Sequence, residues 1–127
     1  MIDTNQAKSV IADLGGVCVN IAILDAGAHL KAFSRMDGAV LGSIDLAIGK
    51  ARTAILFAIP SDAVWEYCKP GAPAQGLERS NGGLVTFAGG IPLIDADGAV
   101  IGAVGVSGGS VLQDLKIAQV ATAALTP

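Results

Sequence analysis

Three short stretches of the chain combine glycine with charged or hydroxyl side chains, and chemistry is to be sought there first. Arg35-Met36-Asp37-Gly38-Ala39 leaves an expected strand. Arg35 is a permanently charged fork suited to a carboxylate, and Asp37 is its ion-pair partner, a general base or a turn residue. Phe87-Ala88-Gly89-Gly90-Ile91-Pro92 puts two glycines ahead of a strand, where backbone amides stand open to a ligand or the chain bends sharply. Gly105-Val106-Ser107-Gly108-Gly109-Ser110 feeds a strand into a helix start. Free amides and the positive end of the helix dipole favour an anion there, with Ser107 and Ser110 as added donors. The stretch lacks the lysine and spacing of a Walker loop and the GxGxxG spacing of a dinucleotide site. Ser107 has no evident catalytic triad in a chain with one histidine.

Two further cations and the histidine complete the candidate set. Lys50 and Arg52 share an expected helix at a spacing that sends one towards the site and the other to solvent. His29 stands beside a hairpin turn, as an exposed turn residue or as a haem-iron ligand or proton carrier, roles that suit an imidazole. Cys18 and Cys68 fall in a strand and a helix without CxxC spacing or a histidine cluster, and they read as buried free thiols.

The elements that must position these residues follow from apolar spacing. Ala7, Val10, Ile11 and Leu14 form the stripe of a helix over Thr4–Leu14, stopped by Gly15-Gly16. Val17–Leu24, apolar apart from Asn20, pairs across Asp25-Ala26-Gly27-Ala28 with a strand running to Arg35. Ser43 is the expected cap of a helix carrying Ile44, Ala47, Ile48, Ala51 and Ile55, and a short helix over Ser61–Cys68 follows Pro60. Lys69–Gly83 is a long turn-rich loop of the kind used for lids, binding or subunit contacts. Leu84–Phe87 is expected as a short strand, and Ile91–Asp95 with Ala99–Val106 as a hairpin around Asp97-Gly98. Ser110 and Gln113 form a capping box for a helix whose inner face is expected at Leu112, Leu115, Ala118, Ala121 and Leu125. Ile23–Ala28 and Leu93–Gly98 are both apolar strands entering an Asp/Gly turn, which reads as shared hairpin chemistry. The order α-β-β-α-α-β-β-β-α implies an α+β fold: an antiparallel sheet of about five strands with flanking helices.

Composition bounds the rest. A chain of 127 residues is the size of one domain, here taken as 1–127. Hydrophobic residues make up 52% against 15% charged, so the interior is aliphatic and part of the apolar surface is expected to be covered in a homo-oligomer. The net charge of −3 and the absence of a Lys/Arg run argue against nucleic acid. No apolar stretch reaches the about 20 residues that span a bilayer, and no basic leader precedes an apolar core, so no membrane partner and a cytoplasmic location are expected.

Taken together, Asp25–Leu30 running into Arg35–Ala39, Gly49-Lys50-Ala51 with Thr53-Ala54, Gly89–Pro92, and Ile101–Gly109 with Gln113-Asp114 resemble the GlcG/HbpS family. That family includes the C-terminal domain of PduO-type corrinoid adenosyltransferases. The resemblance spans nearly the whole chain and implies a profilin-like α+β architecture. It also implies a pocket among Arg35, Asp37, Lys50, Gly89, Gly90, Pro92, Ser107, Gly108 and Gly109, and haem as a cofactor, with His29 the candidate iron ligand. Three functions compete. The first is a binding protein for haem or a related tetrapyrrole, its propionates meeting Arg35, Lys50 or the helix amides. The second is an isomerase or tautomerase acting on a small organic acid, with Arg35 or Lys50 orienting the carboxylate and Asp37 or Asp114 moving a proton. The third is an oligomeric accessory module whose pocket is vestigial.

Overall fold

The computed structural model describes residues 16–125. The helix expected over Thr4–Leu14 lies outside them. Four strands, β1 (Asn20–Asp25), β2 (Leu30–Arg35), β3 (Gly90–Ile94) and β4 (Val100–Ser107), form one antiparallel sheet in the order β2-β1-β4-β3. Three helices accompany it: α1 (Gly42–Phe57), α2 (Ser61–Cys68) and α3 (Val111–Leu125). Among the described residues none is long and apolar enough to cross a membrane.

The α+β class holds, with a correction to the strand count and the order. The described chain runs β-β-α-α-β-β-α, and the fifth strand expected at Leu84–Phe87 does not form. Its backbone groups are taken by helices instead of a neighbouring strand. The Val85 amide donates to Thr53 Oγ1 of α1 at 3.0 Å, and the Phe87 carbonyl accepts from the Ser61 hydroxyl of α2 at 2.5 Å. A residue whose donor is already bound adds no rung to a ladder.

One sheet face receives α1, and glycine makes the approach possible. Gly90 and Gly105 pair across the β3–β4 ladder. A Cβ at Gly105 would sit 1.9 Å from the Ala47 carbonyl oxygen, and one at Gly90 would sit 2.2 Å from that of Lys50. The helix backbone therefore lies directly on the strands, and any side chain at either position would push it off. Ala47, Ala51 and Ala54 complete this small-residue seam. Ser43 is not the cap expected of it: α1 begins after Leu41 with no side-chain cap. The Ser43 hydroxyl faces inward, donating to the Val40 carbonyl and accepting from Asn20 Nδ2 at 2.7 Å.

The opposite face packs Val19, Ile21, Leu93, Val104 and Val106 against Ile117, Ala118 and Ala121 of α3. Each large aliphatic group buried there contributes about 1.5–3 kcal/mol. The capping box of α3 forms as expected, Ser110 Oγ accepting from the Gln113 amide at 3.2 Å while Gln113 Oε1 accepts from the Ser110 amide at 2.9 Å. Of its expected inner face, Ala118 and Ala121 are buried and Leu125 packs on the core, whereas Leu112 departs. Leu112 is 78% exposed, and the buried stripe is Asp114, Ile117, Ala118 and Ala121. Asp114 joins that face because a buried cation holds it inside.

Candidate functional site

That cation is Lys50, 1% exposed on α1. Its Nζ donates to Asp114 Oδ2 and to the Val106 carbonyl, both at 2.9 Å, while Asp114 Oδ1 accepts the Gly109 amide at 2.9 Å. The anion expected at the start of α3 is thus supplied by the chain itself. A buried pair of this kind strongly resists loss of one partner, because the other charge is left in the interior. Of the two cations on α1, Lys50 turns inward and Arg52 outward, where its Nη1 donates to the Asn81 carbonyl of the long loop at 2.6 Å.

Several of the expected site residues gather round this pair. Gly89 adopts a left-handed φ of 129°, and a Cβ there would meet the Val106 carbonyl at 2.6 Å and Lys50 Nζ at 3.1 Å. The Gly90 amide donates to Ser61 Oγ at 2.9 Å. Ser107 is buried beside Val106, and Gly108 sits against Cys18, whose carbonyl a Cβ would meet at 2.5 Å. Pro92 is buried further along β3, opposite Ala103. Arg35 and Asp37 stand apart at the surface, and among the described residues neither enters an ion pair.

Sequence reasoning missed Asn20. The ladders place it between Arg35 of β2 and Ser107 of β4, fully buried, with Nδ2 on Ser43 and Oδ1 without a partner. The available signal was a lone amide within an apolar strand, since a buried polar side chain demands a hydrogen-bonding reason to be there.

The other end of the sheet is more open. In the β1–β2 turn, Asp25 Oδ1 accepts the Gly27 amide at 2.9 Å and the His29 amide at 3.0 Å, and the Asp25 amide donates to the His29 carbonyl at 2.9 Å. The His29 amide, helped by that of Gly27, holds the Asp25 carboxyl below its ordinary value against a smaller opposing push from burial. The His29 ring is 83% exposed, and its Nδ1 lies 3.7 Å from Asp25 Oδ1. Beside the turn opens a cavity of about 520 Å³ walled by Ile23, Leu24, Ala32, Leu93, Ile101 and Leu125, with Asp25 and Lys31 as its charged members. Its size falls within the about 300–1,000 Å³ of small-molecule sites. Among the described residues no three His, Cys, Asp or Glu side chains cluster as they would to hold a metal ion.

Comparison with known proteins agrees with this architecture. The family model for HbpS-like haem-degrading proteins matches residues 4–123. The corrinoid adenosyltransferase PduO of Salmonella typhimurium is 43% identical over 110 residues, which are 86% of this chain but 32% of that protein, so the chain spans about a third of its length. The crystal structure of a PduOC–haem complex superposes with a TM-score of 0.87 at 41% identity, covering 96% of this chain and 88% of that one. Protein ORFY of Klebsiella pneumoniae superposes with a TM-score of 0.88 at 32% identity, covering 94% and 82%.

Proposed function

Because the chain belongs to the HbpS-like family, we propose that it binds haem or a related tetrapyrrole in the cavity beside the β1–β2 turn, with His29 as axial ligand to the iron. The observation that carries this reading is an aliphatic cavity with Asp25 in its wall, and the exposed His29 ring, itself outside the lining, 3.7 Å from Asp25 Oδ1 through Nδ1. A histidine that ligates metal through one ring nitrogen characteristically presents the other to a carboxylate or carbonyl, which sets tautomer and ring orientation. In this reading the Asp25 carboxylate, 3.7 Å from Nδ1 and so beyond hydrogen-bond reach, would orient the ring by charge and leave Nε2 for the iron. The aliphatic walls would cover the ring.

The anionic edge of the ligand falls to Lys31 in this reading. Lys50 and the Gly109 amide already hold Asp114, and Arg35 lies at the far end of β2, about 13 Å along the strand from Lys31. Haem, when bound, supplies the redox chemistry, and the chain's part is to seat it, orient it and limit its access to water. A haem complex is itself the property of a related structure, PduOC, which supports carrying the ligand across.

The test is a visible absorption titration with haemin on the wild type and on His29→Ala. A saturable Soret shift at one haem per chain, lost in the variant, is expected. A shift that survives would keep haem and remove His29 as its ligand, and no saturable shift would sink the reading altogether.

Self-association belongs to the same reading. Val40 and Leu41 are 66% and 74% exposed where α1 begins, and Leu112 is 78% exposed where α3 begins. Side chains of that type at that exposure suit an interface with a second copy. Sedimentation velocity on the wild type should show an oligomer that Leu41→Glu or Leu112→Glu shifts towards monomer. A wild-type monomer at micromolar concentration would remove this part.

A further inference from the structure

The long loop touches α1 through Arg52, and that bond falls on a reactive peptide. Ser80, Asn81, Gly82 and Gly83 form a turn closed by the Gly83 amide on the Ser80 carbonyl at 2.9 Å, with left-handed φ of 54° at Asn81 and 75° at Gly82. Asn and Gly are the residues that such a turn selects. Both are exposed, a Cβ at Gly82 would meet nothing within 4 Å, and among the described residues the Gly82 amide donates to no acceptor. The carbonyl of the same peptide is engaged: Arg52 Nη1 donates to the Asn81 main-chain oxygen at 2.6 Å. A cation on that oxygen draws electron density from the peptide, which makes its N–H a better acid and its carbon a better electrophile.

We propose that Asn81-Gly82 is a self-modifying site, at which Arg52 promotes conversion of Asn81 to isoaspartate. Solvent hydroxide takes the Gly82 amide proton, and the nitrogen's electron pair forms a bond to Asn81 Cγ. The Cγ–Nδ2 bond then breaks. Nδ2, which rests on Ser80 Oγ at 3.0 Å, takes a proton from water and leaves as ammonia, and a cyclic imide remains. Water adds to the carbon of the former main-chain carbonyl, the one that Arg52 polarises, and its bond to the Gly82 nitrogen breaks as that nitrogen takes a proton. The chain now runs through Cγ, and the former carbonyl is a free carboxylate. Water is consumed, ammonia is released, and nothing is oxidised or reduced. Arg52 thereby faces a carboxylate in place of a neutral carbonyl, an exposed ion pair that joins α1 to the loop. Asp97-Gly98 supplies the contrast within the molecule: its Gly98 amide is bonded to the Asp95 carbonyl at 3.1 Å and is no free nucleophile.

The full chain is incubated at mildly alkaline pH, in buffer and in guanidinium chloride, and digests are followed by mass spectrometry with electron-transfer fragmentation, which separates isoaspartate from aspartate. The peptide holding Asn81 should gain the mass difference between an amide and an acid, mainly as isoaspartate, several-fold faster in buffer than in denaturant. Arg52→Gln should slow the reaction several-fold in buffer, lower the isoaspartate share there, and match the wild type in denaturant. Asn81→Gln should gain no mass in that peptide. A folded chain no faster than the unfolded one, or an Arg52→Gln variant that matches the wild type in buffer in rate or in isoaspartate share, overturns the proposal. So does a gain that persists in Asn81→Gln. Should circular dichroism show Arg52→Gln unfolded, the wild-type comparison of buffer with denaturant decides alone. Neither Arg52 nor Asn81 lines the cavity beside the β1–β2 turn, so this proposal and the haem reading fail independently.

Discussion

The two β-hairpins of the sheet are built on the same turn, and they differ at three positions, the first of them Gly27 against Asp97. In the first, Asp25 Oδ1 accepts the Gly27 and His29 amides; in the second, Asp95 Oδ1 accepts those of Asp97 and Ala99, at nearly the same distances. Backbone bonds close both in the same way, and both ladders slip register at matching points, between Ile23 and Leu24 and between Leu93 and Ile94. Yet the first carries His29 where the second carries Ala99. It also carries Ala28 at φ 66° where the second has Gly98 at φ 81°. The turn alone needs neither the imidazole nor the strained alanine. What the first hairpin has in excess of a working turn is therefore the better guide to function.

That contrast can be broken at several points. The largest effect lies at the opposite end of the sheet, which serves as its control: Lys50→Met should destabilise the protein by about 3–5 kcal/mol, by stranding the buried Asp114 carboxylate. Chemical denaturation measures it, while the haemin affinity of the folded fraction stays at the wild-type value. His29→Ala should lower haemin affinity at least ~100-fold, about 2.8 kcal/mol, with no loss of melting temperature, because the exposed ring holds nothing else in place.

The paired aspartates separate turn from ligand. Asp25→Asn and Asp95→Asn should lower the melting temperature alike, and only Asp25→Asn should also weaken haemin, by roughly ten-fold, through the orientation of His29. Acid gives the same separation. Because folding holds the Asp25 carboxyl below its ordinary 3.8, its contribution is complete above that value and is lost as pH falls through the lowered one. Asp25→Asn should remove that part of the acid destabilisation. Equal haemin affinities in the two Asn variants would make Asp25 a turn residue and nothing more.

The smallest effects are reciprocal. Gly98→Ala should cost about 1 kcal/mol, and Ala28→Gly should return up to about as much, since both positions sit in the left-handed region where a Cβ is penalised. Thermal unfolding of the two variants tests this directly. An Ala28→Gly protein that is more stable but binds haemin less well would show that the strained alanine serves the ligand.

Much of this was legible because it is local. Both hairpin turns, the Ser61–Cys68 helix and the Ser110–Gln113 capping box involve partners within a few residues, so residue type and spacing suffice to specify them. The position of His29 beside a turn was equally plain. The approach of the Asp25 carboxylate to the imidazole at 3.7 Å was not, although the pair is only four residues apart. The aspartate already had a complete local role in the turn.

What tertiary structure alone decided has long-range causes. Lys50 and Asp114 are 64 positions apart, and nothing in either segment indicates that they neutralise each other. Their meeting brings Asp114 to the inner face of α3 and occupies the Gly109 amide that the Gly-rich stretch was expected to hold open. Leu84–Phe87 has the composition of a strand and loses its place in the sheet to Thr53 and Ser61, side chains of two helices. Local propensity sets what each segment is able to form; the placement of buried charges and unpaired amides, which must find partners somewhere in the folded chain, selects among those forms.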